Sequence, residues 1–140
     1  MSKVSMSARL PAPVDEVWKR IGDFNALCDW HPAVDKSEVD GKGEGSVRKL
    51  TLVGGGTIVE RLERLDEDGY QYVYSITDSP LPVSNYVATL RVRDEGDGKA
   101  SLVEWSSEFE PAGVPENDAI KVIQGIYSAG FENLKKMFGG

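Results

Sequence analysis

The chain has one cysteine, Cys28, and one histidine, His31. A lone cysteine excludes an internal disulfide and a cysteine zinc cluster, and a lone histidine excludes a multi-histidine metal site. Positive charge is also short: 16 basic residues stand against 23 acidic ones, a formal charge of -7. Phosphate backbones and anionic membranes repel such a balance, so nucleic acid is not an expected partner. No long apolar run marks a membrane span, and MSKVSMSARLPAPVDEVW has no apolar stretch of the signal-peptide kind. The expectation is no membrane insertion and a cytoplasmic address. The GGG at 54–56 lacks the following Lys-Ser/Thr and helix of a phosphate loop. The acidic turns at 66–69 and 94–98 lack the spacing of a calcium loop. No cofactor and no metal are expected.

What is present is globular material: 140 residues, 40% hydrophobic and 28% charged, enough for one sizeable core. With no repeat, low-complexity tract or shift of composition, residues 1–140 read as a single domain. Val4, Met6, Ala8 and Leu10 alternate with Ser5, Ser7 and Arg9, the period-two pattern of a half-buried strand. In LPAPVDEVWKRIGDF, Pro13 suits a first helical turn and Asp15 and Glu16 suit its positive end, with Val14, Val17, Trp18 and Ile21 as the apolar face. FNALCDW reads as a second short helix that stops near His31, because Pro32 disfavours helical geometry in the residue before it. From Val34 the pattern is strand after strand: 34–41, 46–53, 57–66, 70–77, 84–94 and 100–110. The turns GKGEG, GGG, DEDG, DSPLP and EGDG separate them, and such short connections imply antiparallel hairpins. Glu116 to Phe138 reads as a helix of about six turns, apolar at Ile120, Ile123, Tyr127, Gly130, Phe131, Leu134 and Phe138, with Gly139 and Gly140 ending it. The order is α+β.

Hairpin parity sorts the side chains. With the turn centred on Gly54–Gly56, Leu52 faces Ile58 and Leu50 faces Glu60, and Arg48 lies diagonal to Glu60. One face then carries Arg48, Leu50, Leu52, Ile58, Glu60, Leu62, Tyr72, Tyr74 and Ile76. It continues through Tyr86, Ala88, Leu90, Val92, Val103, Trp105, Ser107 and Phe109. The other face is polar: Thr57, Arg61, Glu63, Gln71, Ser75, Thr89, Arg91, Arg93, Glu104, Ser106 and Glu108. The apolar face needs a cover, and the long carboxy-terminal helix is the only element large enough. A sheet of about seven strands curves strongly around one helix, and a cavity between them is the expected consequence.

Several strings resemble the helix-grip superfamily often labelled SRPBCC, which includes START-type carriers and birch-pollen-allergen-like proteins. The resemblance is strongest to its polyketide cyclase/dehydrase-like group. The strings are PAPVDEVWKRIGDF (11–24), DWHPAV (29–34), TIVERLERLDEDG (57–69), LPVSNYVATLRV (81–92), VEWSSEFEPAG (103–113) and GIYSAGFENLKKM (125–137). The resemblance implies a curved seven-stranded antiparallel sheet gripping a long carboxy-terminal helix, with two short helices after the first strand and a hydrophobic cavity between. It also places DWHPAV near the pocket mouth. Fold-level likeness does not assign a reaction, because the superfamily's chemistries differ.

The expected partner is a small hydrophobic or aromatic molecule, polyketide-, lipid- or isoprenoid-like. Trp30, Arg48, Tyr72, Tyr74, Tyr86, Trp105 and Tyr127 are the ligand-binding candidates: the rings give stacking surface, and Arg48 is suited to hold a ligand carboxylate, phenolate or carbonyl oxygen. The same polar groups also make sense as a satisfied internal ion pair with tyrosines completing its hydrogen bonds. His31 and Glu60 are the candidates for proton transfer. If there is chemistry, it is that of a cyclase or dehydratase on a ketone; a third reading is a protein-interaction module using the pocket rim. Cys28 near His31 lacks an oxyanion hole and a third group, so it reads as a small packing thiol. DSPLPVS (78–84) and GKGEG (41–45) read as strand connections that are also placed to rim the cavity.

Overall fold

A computed structural model describes residues 1–139; Gly140, expected to help end the last helix, lies outside the described residues. Strand β1 (Ser2–Leu10) is followed by helices α1 (Val14–Ile21) and α2 (Leu27–Trp30). Six strands come next: β2 (Val34–Asp40), β3 (Val47–Leu52), β4 (Thr57–Asp66), β5 (Gln71–Asp78), β6 (Val83–Asp94) and β7 (Ser101–Pro111). Helix α3 (Glu116–Met137) ends the order. All neighbours in the sheet are antiparallel, in the order β1-β7-β6-β5-β4-β3-β2. Five successive hairpins thus carry the chain from one edge back to β1, while α1 and α2 bridge from β1 to the opposite edge. The helix-grip α+β class expected from the sequence is the one observed.

Local chemistry explains the element ends. Pro13, expected inside the first turn of α1, instead precedes it as the cap, its carbonyl accepting the N–H groups of Glu16 and Val17 at 3.1 Å each. FNALCDW forms a helix only over Leu27–Trp30, shorter than expected, and His31 before Pro32 is extended at φ -99 and ψ 119. α3 buries Ala119, Ile123, Tyr127, Gly130, Phe131 and Leu134, positions three and four apart that form one stripe.

The inner face follows the parity of the sequence: Tyr74, Leu90 and Trp105 are 3%, 0% and 3% exposed. The β3–β4 register differs from expectation. Leu50 pairs with Ile58, and Arg48 lies directly opposite Glu60 rather than diagonal to it. The cause is the turn: Leu52 N–H donates to the Gly56 carbonyl at 3.0 Å, which makes Val53, Gly54 and Gly55 the loop and moves its centre one residue earlier. Positive φ at Gly54, Gly55 and Gly56 permits this. The pairing moves by two residues, so every side chain keeps its face. Bulges between Leu62 and Arg64 in β4 and between Ser84 and Val87 in β6 add bend and twist to the sheet. Asn85, at φ 52, forms the second of these, a conformation asparagine tolerates better than most residues.

Two helical glycines make opposite predictions. A methyl at Gly125 meets nothing within 4 Å, so Gly125→Ala should stabilise the protein by about 1 kcal/mol through helix propensity. A methyl at Gly130 lands 3.0 Å from His31 Cδ2, 3.0 Å from Trp30 Cζ3 and 3.2 Å from Trp105 Cζ3. Those rings brace one another, with Trp30 and Trp105 centroids 5.5 Å apart and Trp105 stacked on Tyr127 at 4.2 Å. Overpacking of about 1–3 kcal/mol should outweigh the helical gain. Thermal melts should therefore show Gly125→Ala above the parent and Gly130→Ala below it.

Candidate functional site

The inner face is apolar apart from a few groups, and two of these form a buried ion pair. Arg48 on β3 and Glu60 on β4 are 1% and 5% exposed. Arg48 Nε donates to Glu60 Oε1 at 2.7 Å, Nη2 lies 2.6 Å from the same oxygen, and Nη1 donates to the Phe24 carbonyl at 2.8 Å. The guanidinium carbon also lies 4.0 Å from the Phe24 ring centre and 5.0 Å from that of Tyr74, within cation–π range. Burial, the largest single influence, works against the Arg48 charge, but the Glu60 carboxylate together with the Tyr72 and Tyr74 hydroxyls outweighs it, and the guanidinium holds its proton more tightly than usual. Burial pushes the Glu60 carboxyl up, against the pull of Arg48. With two nitrogens on one oxygen, the geometry is that of an ion pair, and the guanidinium keeps its charge.

A line of hydroxyls runs beside this pair. Trp105 Nε1 donates to Tyr74 Oη at 3.0 Å, Tyr74 Oη meets Tyr86 Oη at 3.4 Å, and Tyr86 Oη is hydrogen-bonded to Tyr127 Oη on α3. Sheet and helix are thereby joined through polar atoms inside an otherwise apolar core.

His31 follows α2. Its Nδ1 accepts the Ala33 N–H at 3.1 Å, which leaves Nε2 to carry the proton and donate it to the Ile126 carbonyl at 2.7 Å. Burial holds its pKa below the ordinary value despite that carbonyl, so the ring is neutral at pH 7. Both nitrogens are committed to backbone, and the ring ties the α2–β2 connection to α3. Cys28 Sγ approaches the Asn25 carbonyl and Asp29 at 3.9 and 3.8 Å. Burial first, and then Asp29, raise its pKa, as suits an unreactive thiol.

Between these groups and α3 lies a cavity of about 140 Å³. Of the nine residues singled out from the sequence, His31, Glu60, Tyr74, Tyr86 and Trp105 line it. Trp30, Arg48, Tyr72 and Tyr127 do not. Arg48 sits behind Glu60 with its nitrogens turned to Glu60 and Phe24, and Tyr127 stacks behind Trp105. Leu27, Ala33, Leu81, Ile123 and Ile126 also line the cavity and were not singled out. Leu81 stands between two prolines in the DSPLP turn, the connection that the sequence places at the cavity rim.

A shallower depression of about 460 Å³ opens at the far side of Arg48, lined by Trp18, Phe24, Leu62 and Tyr72 among others, with Gly41 and Gly43 of GKGEG at its edge. Along β4 the cavity takes Ile58 and Glu60 and the depression takes Leu62; along β5 the cavity takes Ile76 and Tyr74 and the depression takes Tyr72. Arg48 stands between the two spaces. The cavity, smaller and less open than the depression, has the mostly apolar lining with a few polar groups that small-molecule sites share.

A curved sheet closed over a cavity by one long helix defines a helix-grip protein. The family described as polyketide cyclase / dehydrase and lipid transport matches residues 1–139, and the chain belongs to it. The chain is 28% identical over 137 residues to the abscisic acid receptor PYL6 of Arabidopsis thaliana, covering 90% of this chain and 64% of the receptor, so it spans less than two thirds of that relative's length. Its structure is similar to that of the protein XoxI from Bacillus cereus, with 38% identity, a TM-score of 0.94 and coverage of 99% of this chain and 96% of the other. The ZhuI aromatase/cyclase from Streptomyces shares the fold, at a TM-score of 0.81, 17% identity and coverage of 99% and 93%. Among the described residues, no helix is long and apolar enough to cross a membrane.

Proposed function

We propose that this chain binds a small, largely hydrophobic ligand in the cavity beneath α3, as a carrier or sensor rather than as a catalyst. The observation that supports it is the cavity itself: less open than the neighbouring depression, apolar apart from a few groups, and built from sheet, α3 and the Leu81 turn together. At about 140 Å³ it matches the size of apolar cavities, ~150 Å³, that take up benzene. Single-ring ligands therefore fit, and fused polyketide frameworks need the walls to move. His31, with both nitrogens on backbone groups, acts here as a wall and a tie. The description of the family and the ABA-receptor relative agree with ligand binding.

A cyclase or dehydratase reading has one observation in its favour: Glu60 and the hydroxyls of Tyr74 and Tyr86 share one cavity wall, an acid–base set suited to a ketone. Native mass spectrometry of protein purified from its source cells tests the first reading. The expected result is a bound molecule of single-ring size. Unliganded protein that small apolar probes also fail to stabilise would overturn it. A ketone turned over by the parent and not by Glu60→Gln would favour the second reading.

A further inference from the structure

The cavity walls carry one charged side chain, Glu60, and no lysine or arginine among the described residues. Glu60 Oε1 is taken by Arg48, whereas Oε2 receives no hydrogen bond from any described residue. Oε2 is not sealed from a molecule the size of water, and the cavity is the space that Glu60 lines. The other polar wall groups are engaged: His31 with backbone at both nitrogens, Trp105 Nε1 with Tyr74, and Tyr74 with Tyr86. Glu60 Oε2 is thus the one wall acceptor that no described residue holds, and a buried acceptor left unpaired costs free energy that a donor recovers.

Charge narrows the choice. Arg48 and Glu60 together are neutral. A carboxylate in the cavity would add a second negative charge beside Glu60, with no wall cation to meet it. An ammonium would leave the three groups with a net positive charge away from water. Both are penalised in an apolar enclosure; a hydroxyl brings its proton and no net charge. Resting on the cavity reading above, we propose that the ligand is a neutral molecule of single-ring size bearing one hydroxyl, a phenol or an alcohol, which it donates to Glu60 Oε2. Arg48, assigned from sequence as the ligand anchor, is then a positioning residue that fixes which Glu60 oxygen stays free.

Calorimetric titration of the full chain with phenol, toluene, benzoate and benzylamine, which differ little in size, tests this. Phenol should bind at least about tenfold more tightly than benzoate or benzylamine, and no more weakly than toluene. In Arg48→Met/Glu60→Leu, which removes both charges together, phenol should weaken about tenfold while toluene stays within about threefold. Benzoate or benzylamine matching phenol on the parent, or toluene exceeding it, overturns the inference and leaves the cavity reading standing. Equal losses of phenol and toluene in the double variant do the same. Binding of none of the four overturns the cavity reading, and the inference falls with it. The four-ligand series on the parent decides the matter even if the double variant does not fold.

Discussion

Arg48→Met should cost the fold about 3–5 kcal/mol, and adding Glu60→Leu to the same chain should return most of it. The single substitution strips its cation partner from a carboxylate that is 5% exposed, removes the donor to the Phe24 carbonyl, and takes the guanidinium off the Phe24 and Tyr74 rings. The double substitution leaves no charge behind, and buried ion pairs replaced by apolar side chains of similar volume are often neutral in stability. The sign with pH follows from Glu60. Burial already raises its pKa, and losing Arg48 raises it further. A folded-state pKa above the unfolded value gives stability that is fully present below the unfolded pKa and is lost as pH rises through the folded one. The Arg48→Met deficit should therefore be largest at neutral pH and shrink toward pH 4. Urea denaturation at both pH values measures it. A neutral-pH loss below about 1 kcal/mol would mean that water reaches the pair and that Arg48 does not seal the cavity from the Trp18–Phe24 depression.

The same pair shows where the sequence was informative and where it was not. Alternation fixes which face a strand residue occupies, so Arg48, Glu60 and Tyr72 were placed inward correctly even though the β3–β4 pairing was two residues out. Parity carries no information about depth along a strand. It could not separate Tyr74, which lines the cavity, from Tyr72, which lies in the next space along β5, or show that Arg48 stands behind Glu60. The α3 contribution was hidden for a related reason. Ile126 is half-buried and off the stripe centred on Ile123, Tyr127 and Leu134, so helical periodicity ranks it as peripheral although it borders the cavity. His31 was legible as the one group that titrates near neutrality, but its bonds to Ala33 and Ile126 depend on an α3 contact 95 residues away. Local sequence cannot supply that.

Alkali should unfold this protein steeply, roughly one to three pH units above 10. Tyr72, Tyr74, Tyr86 and Tyr127 are all buried, and burial, the leading cause in each case, raises every one of their pKa values above the ordinary 10.0. Glu60 adds to the rise at Tyr74, and Arg48 opposes it at Tyr72. The stability these phenols contribute by staying protonated is whole below the unfolded value of 10.0 and is lost as pH climbs toward the higher folded values. Each withheld ionisation contributes about 1.4 kcal/mol per pH unit, so four give a limiting slope of roughly 5–6 kcal/mol per unit. A fold of ordinary stability, about 5–15 kcal/mol, is exhausted within roughly one to three units. Tyrosinate absorbance should stay low and then rise together with the loss of circular dichroism, four phenols ionising as the chain opens. Tyr86→Phe should reduce the slope by about a quarter, since one titrating group of four is gone. It should also cost stability at neutral pH, because Tyr74 and Tyr127 both lose the hydroxyl between them. Tyrosinate forming gradually around pH 10 while the dichroism holds would mean that water penetrates to the hydroxyl line. The phenols would then be walls of an open, wet pocket, and the closed apolar chamber on which ligand selection depends would not exist in solution.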